Sequence, residues 1–101
     1  MIRHIVMWNF KEGFTPEENI SNAARLQAEL EGLVHTIPQV KELKVHINEI
    51  STSNMDVMLD SLFESEEDLA IYQDHPEHNK VVAFARSVLA NRACFDYKTL
   101  T

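Results

Sequence analysis

Tyr72 and His78 form the pair in this sequence whose types and spacing most invite chemistry. His78 heads a series continued by Val81, Val82, Ala85, Val88 and Leu89, the spacing of one helix face, so its imidazole is directed inward among valines. Imidazole has the side-chain pKa closest to neutrality and in a pocket works as general base or acid. In a closed core the same ring is a strut whose nitrogens need hydrogen-bond partners. Tyr72 lies about a helical turn and a corner earlier. Its hydroxyl can orient the imidazole or donate to an oxygen gaining charge as an enolate forms, or it can lie at the rim of a core aromatic. His4, mid-strand beside Val6 and Trp8, is a buried hydrogen-bond link or part of a cavity wall. Asp96, between Phe95 and Tyr97, bonds a buried partner or points to solvent.

Other chemistries find less support. His75-Pro76-Glu77-His78 beside Asp74 has a His-x-x-His spacing, and histidines with a carboxylate bind zinc or iron. His75 falls at a helix break, though, and the zinc helix has its histidines four apart; no metal site is assigned and no cofactor is expected. His75 reads as a capping or exposed residue and His46 as surface. Nothing near Cys94 in sequence would lower its pKa and make it a nucleophile. The chain has no glycine-rich phosphate loop and no Gly-x-Ser-x-Gly elbow, which removes nucleotide binding and serine hydrolysis.

Composition narrows the class further. The 101 residues suit one domain spanning 1–101. Nine basic against sixteen acidic residues give a net charge of −7, with no basic cluster for phosphates, so a nucleic-acid partner is not expected. The longest uninterrupted apolar run is Ile5 to Trp8, far short of the roughly 20 residues of a spanning helix. The N-terminal stretch lacks a secretory h-region and cleavage site. A lone Cys94 forms no internal disulfide, so a cytoplasmic location without membrane contact is expected.

The elements that must position these residues follow from periodicity. Residues 2–11 read as a strand with apolar groups on both faces, as in a sheet covered on both sides. Thr15-Pro16-Glu17-Glu18 combines a cap, a proline suited to the first helical position and a capping-box glutamate. Ile20, Ala23, Ala24, Leu26, Leu30 and Leu33 continue from it as a broad helical stripe that reaches Ile37, and Pro38 forbids continuation. Residues 41–50 and 55–64 alternate as strands around the Ser51–Asn54 turn. Ser65-Glu66-Glu67-Asp68 opens a short helix, Pro76 starts another, and 92–100 is a final strand. The order is βαββαβ with a split second helix: an α+β, ferredoxin-like chain with a four-stranded antiparallel sheet, helices on one face and an apolar opposite face suited to a second copy.

The opening His4-Ile5-Val6-Met7, the helix exit Ile37-Pro38-Gln39-Val40, the corner Tyr72-Gln73-Asp74-His75-Pro76-Glu77-His78 and the ending Phe95-Asp96-Tyr97 occur together here. This set resembles the stress-response dimeric A/B barrel (Dabb) family over essentially the whole chain. The resemblance implies a ferredoxin-like subunit that pairs with a copy into a dimeric α+β barrel, with a pocket between helices and sheet. In plant members that cyclise polyketides by aldol condensation, the tyrosine and second histidine of this corner are the catalytic pair. The resemblance therefore implies catalytic roles for Tyr72 and His78, with His4 and Asp96 as a supporting shell that orients His78. One polar anchor of those cyclases, a tyrosine on the first long helix, is absent; that helix offers Leu26, Gln27 and Leu30.

Three readings stay open. The first is a homodimeric small-molecule pocket protein, its cavity lined by His4, Val6, Trp8, His75 and Val82 with Phe84 nearby. It would catalyse proton transfer, enolisation or aldol-type cyclisation on a carbonyl or aromatic ligand without cofactor. The second is a non-catalytic stress-related dimer in which the His/Tyr corner is structural. The third is a cofactor-free oxygenase or haem-handling relative on the same barrel plan.

Overall fold

A computed structural model describes residues 1–100. Strand β1 (Ile2–Phe10) leads to helix α1 (Pro16–Gly32), which ends in one 3-10 turn at Leu33–His35. Strands β2 (Glu42–Ile47) and β3 (Val57–Phe63) follow, then helices α2 (Glu66–Asp74) and α3 (Pro76–Val88), then strand β4 (Leu89–Lys98). The sheet order is β2-β3-β1-β4 with every neighbouring pair antiparallel, which is the ferredoxin-like arrangement.

Helix α1 starts where local chemistry dictates. The Thr15 hydroxyl accepts from the Glu18 amide at 3.1 Å and the Glu18 carboxylate accepts from the Thr15 amide at 2.9 Å, so two orphan donors are satisfied together. The buried stripe is narrower than the periodicity predicts. Ala23, Leu26 and Leu30 are buried, whereas Ile20 is 70% exposed and Ala24 faces out. The helix also covers the outer edge of β2: Gln27 donates to the Val45 carbonyl at 2.9 Å and Glu31 accepts from the Val45 amide at 3.0 Å, so an edge strand is not left open.

Side chains alternate across the sheet. On the helix side His4 and Val6 join Val57, Leu59, Ser61 and Phe63 against α1, α2 and α3. Burial of each large apolar side chain there contributes about 1.5–3 kcal/mol. The other side bears Ile5, Met7, Met58, Phe95 and Tyr97, of which Phe95 is 67% exposed, and Arg3 bonds Asp60 and Glu42 across its strands at 3.1 and 3.2 Å.

β4 departs from the sequence reading at its start. Leu89 fits the helical stripe, but its backbone is already extended (φ −121°, ψ 157°), so the strand begins three residues before Arg92. Its pairing with β1 then slips. Met7 faces Ala93 and Asn9 faces Ala90, so Asn91 and Arg92 together oppose Trp8 in a β-bulge. Asn91 takes the positive φ this needs, 56°, a conformation asparagine tolerates better than most residues.

Candidate functional site

The α3 end of the sheet encloses a cavity of about 540 Å³, within the range of small-molecule sites. β1 supplies His4, Val6 and Trp8; α3 supplies His78, Val82 and Arg86; the bulge supplies Asn91 and Arg92. Trp8 and Val82 line this cavity together with His4 and Val6. His75 does not line this cavity. It is the N-cap of α3, its Nδ1 accepting from the Glu77 amide at 3.1 Å, because Pro76 begins a new helix whose first amides need acceptors. Phe84 also stands outside the lining; the Arg25 guanidinium lies over its ring at 3.8 Å.

His78 is half-buried at the cavity wall. Its Nδ1–H donates to the Gln73 carbonyl at 3.1 Å, and since a carbonyl only accepts, this bond fixes the proton on Nδ1. Nε2 has no protein hydrogen bond among the described residues and carries the lone pair of the neutral ring. Burial is the main cause that lowers the pKa of His78 from its ordinary value; the charge of Arg92 and the nearby His4 and His75 act in the same direction, against the Gln73 bond.

Tyr72 lies behind His78 and not in the cavity lining. The two rings are 4.3 Å apart between centroids, and Tyr72 packs on Phe63 at 5.0 Å. It is wholly buried, and its hydroxyl has no hydrogen-bond partner among the described residues. Desolvation raises the phenol pKa well above its ordinary value, so the group is a proton donor and not a base.

The implied supporting shell is arranged differently from expectation. Gln73 orients His78, while His4 and Asp96 bond each other, Nδ1 to Oδ1 at 2.5 Å, from directly paired positions on β1 and β4. The His4 ring is 3% exposed and the Asp96 side chain 41%. A carboxylate only accepts, so His4 also carries its proton on Nδ1. The two histidines thus present the same tautomer.

Cys94 joins this pair. Its sulfur is 3.7 Å from His4 Nδ1 and 3.5 Å from Asp96 Oδ1, and the three side chains are the described group whose donors suit a metal. The nitrogen–oxygen separation is nevertheless that of a hydrogen bond, shorter than the about 3.3 Å between two ligands of one tetrahedral zinc. Burial and the neighbouring Asp96 raise the Cys94 pKa, which keeps a thiol there.

Gln73, Asn79, Arg86, Asn91 and Arg92 are cavity residues that sequence reasoning missed. Their one-dimensional signature is that of exposed helix and strand residues. The bulge depends on cross-strand register, and Asn91 at a helix-to-strand junction is its only local trace.

A four-stranded antiparallel sheet with helices on one face, and a histidine-walled cavity beneath them, define a ferredoxin-like α+β protein with a small-molecule-sized pocket. Residues 2–99 match the Stress Responsive A/B Barrel Domain, and the chain belongs to that family. A search of the curated proteins found no match. Among solved structures it is similar to a dimeric protein of unknown function with a ferredoxin-like fold from Bacteroides fragilis, with TM-score 0.91 and 24% identity over 97% of this chain and 95% of that one. It is also similar to At3g17210 from Arabidopsis thaliana, with TM-score 0.81 and 25% identity over 100% and 97%. A hydroxynitrile lyase from Passiflora edulis, at TM-score 0.80 and 17% identity over 99% and 94%, shares the fold. Among the described residues no helix is long and apolar enough to cross a membrane.

Proposed function

We propose that this protein is a homodimeric small-molecule pocket protein of the cytoplasm that transfers a proton at the carbon beside a carbonyl, by enolisation or aldol-type cyclisation. The observation that carries this reading is the Gln73 bond to His78, which leaves Nε2 as a free, neutral base at the cavity wall. In the step, Nε2 takes the proton from carbon, the C–H electron pair forms the enolate double bond, and the carbonyl oxygen gains the charge. Tyr72 lies outside the cavity lining, so its hydroxyl donates to that oxygen only when the ligand reaches past His78; the hydroxyl is buried without a partner, at a cost of about 1–3 kcal/mol that such a contact relieves. Where a second carbonyl lies within reach on the same ligand, the enolate carbon bonds to it and the new alkoxide takes the proton back from the imidazolium.

His4, held by Asp96, forms the adjoining wall with Val6, Trp8 and Val82. A second copy covers the free sheet face; the exposure of Phe95 beside Ile5, Met7 and Met58 supports this, as does the dimeric description of the Bacteroides protein.

The test is hydrogen–deuterium exchange at the activated carbon of 1,3-diketones, followed by NMR. The wild type is expected to exceed the buffer rate, and His78→Asn to lose the excess while still folded. No excess with any diketone, together with a drop of several degrees in the melting temperature of His78→Ala, makes His78 a core strut and overturns the reading.

A further inference from the structure

We infer that the cavity is built for an anion: its ligand is a carboxylate with an apolar body, held at the mouth by Arg86 and Arg92. This rests on the reading of the cavity as a small-molecule site and adds the class of molecule.

The chain carries sixteen acidic against nine basic residues, yet no aspartate or glutamate lines the cavity, and two of its four arginines do. The arginines divide cleanly. Arg3 is held by Glu42 and Asp60, and Arg25 by Glu29. Arg86 and Arg92 make no ion pair among the described residues; the one polar side chain that Arg92 is seen to meet is the neutral Cys94 thiol. In a protein of net charge −7, guanidiniums left unpaired at one cavity set a local field opposite to that of the whole molecule, and such a site concentrates anions.

The backbone directs this chemistry. The β4 bulge puts two residues opposite Trp8 where a regular strand puts one, and both, Asn91 and Arg92, line the cavity. Bulges re-aim side chains beside functional sites in this way. Arg86 arrives from the last turn of α3, and Arg92 lies close enough to His78 for its charge to act on the imidazole. One ligand therefore reaches both the cationic mouth and the basic nitrogen.

The remaining lining sets the rest of the ligand. Val6, Trp8, Val82 and Leu89 give apolar walls that match an aryl or alkyl body. The planar fork of arginine suits a carboxylate, with two parallel hydrogen bonds per guanidinium. A phosphate is less well served, because no lysine lines the cavity to add a point charge to the two guanidiniums.

The test compares 4-oxo-4-phenylbutanoate with its uncharged primary amide by calorimetry and by NMR shifts of the wild type, Arg86→Gln, Arg92→Gln and the double variant. The acid is expected to bind at least tenfold tighter than the amide in the wild type, with a gap that narrows as salt rises. Each single variant is expected to weaken the acid about fivefold or more and leave the amide unchanged, and the double variant to remove the preference. Equal binding of acid and amide, or a preference that survives in the double variant, overturns the inference while the pocket reading stands. Binding of neither, with no shift at His78 or Trp8, overturns both.

Discussion

His4 and Asp96 are 92 positions apart in sequence and directly opposite in the sheet, and their side chains share one proton-bridged contact of 2.5 Å. The bond joins a buried ring to a carboxylate at the solvent boundary, so it holds edge strand β4 to β1 while fixing the tautomer of a cavity wall. Asp96→Ala removes the strong acceptor and leaves the buried N–H only the weakly accepting Cys94 sulfur at 3.7 Å. The expected loss is about 1–2 kcal/mol, at the low end for a charged partner because the carboxylate is part-exposed. Urea denaturation of wild type and variant measures it; an unchanged midpoint would show that the bond contributes nothing net.

Tyr72→Phe separates catalytic from structural roles more sharply than any change at His78, because the hydroxyl has no partner to lose. The variant is expected to melt at or above the wild-type temperature and to lose about 100-fold in carbon-proton exchange, as for one oxyanion donor. Equal exchange in both proteins would reduce Tyr72 to a packing role beneath His78.

His78 gives a pH dependence with a defined sign. Its pKa in the folded protein lies below the ordinary 6.5, so between those two values the unfolded chain binds more protons than the folded one. Its stability contribution is therefore flat above pH 6.5, and stability falls as the pH drops through 6.5 toward the folded pKa. Melting curves of wild type and His78→Gln across that window are expected to converge as pH falls. Exchange catalysis is expected to hold to lower pH than a free imidazole would allow, and a rate profile with its midpoint at or above 6.5 would contradict the burial argument.

The parts of this structure legible in sequence are those decided locally. The Thr15–Glu18 box fixes the start of α1, and Pro76 fixes both the split of the second helix and the fate of His75. The family-bearing corner around Tyr72 and His78 likewise lies within seven residues. What was not legible depends on partners far along the chain. Leu89 satisfies a helical and a strand period equally, so periodicity alone puts the junction too late. Which acceptor orients His78 could not be read either: Asp96 was the chemically obvious candidate, but β4 register gives it to His4, and the Gln73 carbonyl, invisible to any side-chain pattern, takes the role. The cationic mouth is the strongest case, since a bulge is a mismatch between two strands and belongs to neither sequence segment alone.

Phe95 tests the free sheet face. It stands 67% exposed with Tyr97 beside it at 6.2 Å between ring centroids, on the side opposite the cavity. Phe95→Asp is expected to convert a dimer to a monomer in sedimentation velocity. Cavity binding measured per subunit is expected to persist, because Phe95 does not line the cavity. A wild type that sediments as a monomer would remove the second copy from the proposal.

Asn91 is where backbone conformation and ligand preference meet. Its positive φ lets β4 carry the extra residue that brings Arg92 to the cavity, and a β-carbon without a short polar side chain makes this conformation cost about 1–2 kcal/mol. Asn91→Gly is expected to keep stability and the preference for acid over amide, since glycine adopts the conformation freely. Asn91→Ala faces a choice between strain and loss of the bulge. In the first case the melting temperature falls and acid binding is retained. In the second the register of β4 shifts, Arg92 leaves the cavity mouth, and the preference falls as it does in Arg92→Gln. Cross-strand amide contacts from NMR decide between these outcomes. Loss of the preference in Asn91→Gly with the bulge intact would instead assign the anion contact to the Asn91 side chain, which bonds Asn9 at 3.1 Å in the resting protein.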